Sequence, residues 1–145
     1  RFVAVARPHN FESLNPPKNL EVRFNLPFEE AWGIVQHARA AIVPLRSRET
    51  PCGLVSLVGG MHLGKAQIVT DAAGAADYLK DGETGLLVPA GDAAALAAAV
   101  RRLEADPALA ARLGEAAQDF AAAQCSEART VAFFEALLER WFGAK

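Results

Sequence analysis

A chain of 145 residues has the length of one ordinary domain. At that size folding hides roughly two thirds of the unfolded surface, so a core forms without disulfide or metal staples. Hydrophobic residues make up 52% and charged residues 22%, which excludes a disordered chain, and the formal net charge of −2, with both signs mixed, excludes a general electrostatic surface for nucleic acid or anionic lipid.

Cys52 and Cys125 lie far apart and outside any metal-ligand spacing, so a reducing, cytosolic setting is the expectation. No apolar run approaches the length of a membrane span, and the N-terminus lacks a signal-peptide layout. The chain begins with Arg1 and not Met, as an excised piece of a longer protein would.

Phe2 to Ala6 is a short apolar run that reads as a strand, followed by a polar connector through Asn10, Asn15, Pro16 and Pro17. Leu20, Val22 and Phe24 alternate with Glu21 and Arg23, the pattern of a strand with one wet face, hence a sheet edge. After Pro27 a helix is predicted, with Phe28, Trp32 and Val35 at helical spacing and Glu29 and Glu30 in its first turn. Ala41 to Leu45 reads as a strand, Leu54 to Leu63 as a helix and Gln67 to Thr70 as a strand. Strand and helix in alternation imply parallel pairing through crossovers: a Rossmann-like α/β fold of three layers, αβα. Asp81 to Gly85 is a turn before one more short strand. In the last third Asp92, Asp106 with Pro107, and Ser126 cap three helices. Their apolar stripes are Leu96, Val100 and Leu103, then Leu109, Leu113 and Phe120, then Val131, Phe134, Leu138 and Trp141, and they are expected to pack on the sheet within a single domain, 1–145.

Open parallel sheets hold ligands beyond the carboxyl ends of their strands. The loop Thr50-Pro51-Cys52-Gly53-Leu54-Val55 has that place, between the strand ending near Leu45 and the next helix. Gly53 permits close backbone approach, and the free N–H groups of the first helical turn suit a diphosphate. A glycine required only by the turn fits the same residues.

The wider string carries more. Gly53-Leu54-Val55, Gly59-Gly60-Met61-His62-Leu63-Gly64-Lys65, Ile68-Val69-Thr70-Asp71 and then Asp77 through Pro89 with Gly91-Asp92 resemble the donor-binding core of GT-B glycosyltransferases. The resemblance is to the large retaining family that includes sucrose-, mannosyl- and glycogen-type transferases (group 1, or family 4), and it runs from about Leu20 onward. It implies a C-terminal GT-B lobe that transfers a sugar from a nucleoside-diphosphate sugar to a sugar, lipid-linked or small-molecule acceptor held by an N-terminal lobe. The location implied is cytoplasmic, or peripheral at the inner face of the membrane. No cofactor beyond this donor substrate, no metal and no nucleic acid is expected.

Carried over by position, Glu49 stands close to the family's sugar-facing glutamate, one residue early relative to Gly53, and is the candidate catalytic residue. Thr50, Cys52, Gly53, Leu54, Val55 and Gly59 form the candidate donor-binding turn and helix, and Asn25 and Leu26 match the loop flanking the nucleobase. Two departures stand out. The family's ribose-holding glutamate falls on Val58 or Gly59, and no acidic residue occurs between Glu49 and Asp71. The first strand, its glycine loop and the basic phosphate clamp are also missing, because Arg1 to Pro8 matches the second strand. A piece so truncated is expected to be inactive alone.

Plainer readings compete at several positions. Arg46, Arg48 and Glu49 fit a solvated loop, His62 a helix-face residue, and Lys65 the entry to a strand. Nothing in the sequence around Cys52 activates it as a nucleophile. A degenerate, non-catalytic GT-B lobe serving as scaffold or partner-binding module is the main rival. A sugar-nucleotide epimerase lacks its acid and base here, and no G-x-G-x-x-G supports a dehydrogenase.

Overall fold

In the computed structural model, which describes residues 1–49 and 52–143, five strands and six α-helices follow one another, and every strand pair is parallel. The α/β class expected from the alternation is what forms. The strands make two sheets, one in each of two units, Arg1–Ala38 and Arg39–Lys145.

In the first unit β1 (Phe2–Ala6) pairs with β2 (Leu20–Phe24), from Phe2 opposite Leu20 to Ala6 opposite Phe24. A single 3-10 turn, Pro8–Asn10, begins the connector, and the Phe11 ring meets Phe24 edge-on at 6.1 Å. Glu21 accepts hydrogen bonds from Arg1 and Arg23, and these guanidinium groups hold its carboxyl below the usual range. Phe2, Val3 and Val5 keep 40% to 43% of their surface exposed, an apolar strand covered on neither face within its unit. Helix α1 (Phe28–His37) starts after Pro27 with Glu29 and Glu30 at its positive end, and its Phe28 and Trp32 rings meet edge-on at 5.6 Å.

The second unit holds β3 (Ala40–Val43), β4 (Ala66–Thr70) and β5 (Leu86–Val88) in the order β3-β4-β5. Around them lie α2 (Leu54–His62), α3 (Ala75–Tyr78), α4 (Ala93–Ala105), α5 (Pro107–Gln124) and α6 (Glu127–Phe142). All five residues of central β4 are buried. Alternate strand residues face opposite ways, and β4 shows it: Val69 packs with Leu57, Met61, Leu79 and Ala117, whereas Ala66 and Ile68 pack with Leu103, Leu109 and Leu113. The sheet is therefore covered on both faces, the three layers that the sequence implied. Leu57 and Leu113 have no exposed surface, so truncating either to Ala costs about 2–5 kcal/mol.

Asp92, Asp106 and Ser126 each accept a hydrogen bond from the third residue of the helix they start, as expected of caps. One expectation fails. Val131, Phe134, Leu138 and Trp141 form a stripe on α6 but do not pack on the sheet: they are 49% to 63% exposed, and α6 buries no residue. Helical periodicity locates an apolar face without saying what covers it.

Candidate functional site

The site is built where β3 and β4 end. β3 stops at Val43 because the chain then leaves the ladder: the Leu45 N–H donates to Thr70 Oγ1 at 2.8 Å, and the same hydroxyl lies 3.4 Å from the Leu45 carbonyl. This is two residues short of the strand end expected at Leu45. Beyond it, the Arg48 guanidinium reaches Asp71 Oδ2 at 2.7 Å, and the Ala73 N–H donates to the Arg48 carbonyl at 2.7 Å. Asp71 is itself fixed, its N–H donating to Val88 of β5 at 2.8 Å. The Glu49 N–H donates to Ser47 Oγ at 3.1 Å, and the Glu49 side chain is exposed. Thr50 and Pro51 lie outside the described residues.

Gly53 turns the chain into α2 with φ of +77°, a conformation that costs a side-chain-bearing residue roughly 1–2 kcal/mol. A Cβ there would also stand 2.6 Å from Val43 Cγ1, so the turn rests directly on the end of β3. The helix then starts with Leu57 N–H bonded to the Gly53 carbonyl at 2.9 Å, which leaves the amides of Leu54, Val55 and Ser56 without a carbonyl partner inside the helix. Among the described residues no side chain caps this end, and its first turn carries no acidic residue. Donors and the positive end of the helix dipole thus stay open toward an anion, while Val55 is 75% exposed beside them.

Gly53, Leu54, Val55 and Gly59 stand together on this turn and helix, with exposed Cys52 just before them. Gly59 faces no acidic neighbour on α2, and Val58 beside it is apolar. Asn25 and Leu26 belong to the first unit, at the end of β2. Asn25 has φ of +51° with its N–H donating to the Ala6 carbonyl at 3.0 Å, and Leu26 lines an open cleft of about 420 Å³ with Arg23, Glu30, Gly33, Ile34 and His37. His62 is held on the far end of α2, its Nε2 3.3 Å from the Cys125 carbonyl, and burial raises the Cys125 thiol pKa. Among the described residues no three His, Cys, Asp or Glu side chains cluster, and no helix is long and apolar enough to cross a membrane. The sequence placed Thr70 and Asp71 in the string that resembles the donor-binding core, but not their bonds to Leu45 and Arg48.

Residues 9–120 match the family model described as glycosyl transferases group 1. Bacillus subtilis (strain 168) has a protein named as glycosyltransferase EpsD that is 36% identical over 77 residues, 53% of this chain and 20% of that one. Among solved structures, sucrose-phosphate synthase from Thermosynechococcus elongatus superimposes with a TM-score of 0.74 at 28% identity, covering 87% of this chain and 31% of that one. Anabaena HepE in complex with UDP and glucose gives a TM-score of 0.78 at 17% identity, covering 93% of this chain and 39% of that one. The fold is that of GT-B glycosyltransferases, and the chain belongs to the group 1 glycosyltransferase family. It spans from about a fifth to two fifths of the length of these relatives.

Proposed function

We propose that this chain is the donor-binding part of a glycosyltransferase that takes its sugar from a nucleoside-diphosphate sugar and passes it to an acceptor held elsewhere in a longer protein. The observation that carries the reading is the N-terminus of α2: a glycine turn at the end of β3, three amides without a carbonyl partner inside the helix, and no acidic residue in the first turn. Such a terminus stabilises the diphosphate as negative charge builds on it during departure of the sugar. The similarity to HepE, a structure holding UDP and glucose, supports a nucleotide sugar as the donor. Glu49, at the loop before this helix, is the residue proposed to face the transferred sugar.

One observation favours the rival. Val58 and Gly59 stand where the family's ribose-holding glutamate is expected, so a degenerate lobe with a scaffold role is the alternative reading. Incubating the full-length protein with radiolabelled UDP- and GDP-sugars decides between them. Release of nucleoside diphosphate with transfer or hydrolysis of the label supports the enzyme. Neither turnover nor nucleotide binding supports the scaffold.

A further inference from the structure

Arg48 grips the loop after β4 from both of its ends. Its carbonyl accepts the Ala73 N–H at 2.7 Å and its guanidinium binds Asp71 Oδ2 at 2.7 Å, while Asp71 is anchored through its own amide to Val88 of β5. One step earlier in the chain, the Thr70 hydroxyl holds Leu45. Three residues at and just beyond the end of β4, Thr70, Asp71 and Ala73, thereby hold the two ends of the segment Leu45–Arg48, and Glu49 follows it directly.

Both partners of the ion pair are exposed, at 68% and 41% of their side-chain surface, and an exposed pair adds little to stability. What it supplies is geometry. The bond spans two loops at the carboxyl ends of adjacent strands, where an open parallel sheet presents its ligand.

We infer that Arg48 and Asp71 are positioning residues, a latch that holds the loop leading into Glu49 against the β4 end and so fixes where Glu49 stands. The inference rests on the donor-site reading given above. In this inference Arg48 acts through Asp71, and Arg46, two residues earlier, takes no part in the latch.

The test uses the full-length protein and four forms: wild type, Arg48→Ala, Asp71→Ala, and the exchanged pair Arg48→Asp with Asp71→Arg. Each single change is expected to lower kcat for sugar transfer about tenfold with KM for the donor changed less than about twofold, since misplacement of a reacting group appears in the rate. The exchanged pair is expected to recover most of that loss. Hydrogen exchange at the Ala73 amide is read in parallel, and both single changes should speed it about tenfold. Single changes without effect on kcat overturn the latch. So does an exchanged pair as slow as Arg48→Ala, because that result means Arg48 meets the donor directly. If the wild-type protein transfers no sugar, the functional reading fails by itself. The Ala73 exchange still decides the latch then: equal rates in wild type and Arg48→Ala overturn it.

Discussion

At Gly53 two demands meet on one residue: φ of +77° and the 2.6 Å approach that a Cβ would make to Val43. Gly53→Ala should therefore cost about 1–3 kcal/mol, read as a lower urea midpoint, because the turn has no alternative seat against β3. A midpoint equal to wild type would show that the turn relaxes freely. Glu49 makes no such structural demand: its side chain is exposed and takes no part in the core. Glu49→Ala should leave stability within about 0.5 kcal/mol and slow transfer by the full-length protein at least about tenfold, with a smaller effect on nucleotide affinity. An unchanged rate would make Glu49 a solvated loop residue. Gly53 was legible in the sequence because a glycine before an apolar helix is local chemistry. The Arg48–Asp71 pair was not, because its members are 23 residues apart and only the strand pairing brings them together.

Between elements, the packing of α2 on β4 turns on one unusual pair. Gln67 has no exposed surface, its Oε1 has no hydrogen-bond partner, and its side chain occupies the space that a Cβ on Gly60 would need. Gly60→Ala alone should cost about 1–3 kcal/mol by overpacking. Combined with Gln67→Val, which removes the unpartnered oxygen and clears the space, it should return to within about 1 kcal/mol of wild type. Additive losses in this double-mutant cycle would mean that the two side chains do not compete. Helix α6 is the opposite case. It buries no residue, so ending the chain after Cys125 should change the stability of the second unit by less than about 1 kcal/mol. A larger loss would show that α6 is part of the core. The sequence revealed the start of α6 through Ser126, and equally Asp92 and Asp106 at α4 and α5, because a cap is a contact within one turn. It did not reveal that the α6 stripe stays exposed, since periodicity carries no information about the partner of a face.

For the molecule as a whole, β1 and β3 each have a single strand neighbour among the described residues, β2 and β4 respectively, and β1 leaves Phe2, Val3 and Val5 partly uncovered. The central claim concerns α2, and chemical-shift mapping of the isotopically labelled full-length protein with uridine and guanosine diphosphates tests it most directly. The account predicts that the largest perturbations fall on the amides of Gly53, Leu54 and Val55 for at least one of the two nucleotides. Perturbations centred on α4, α5 or α6, or none with either nucleotide, would contradict it.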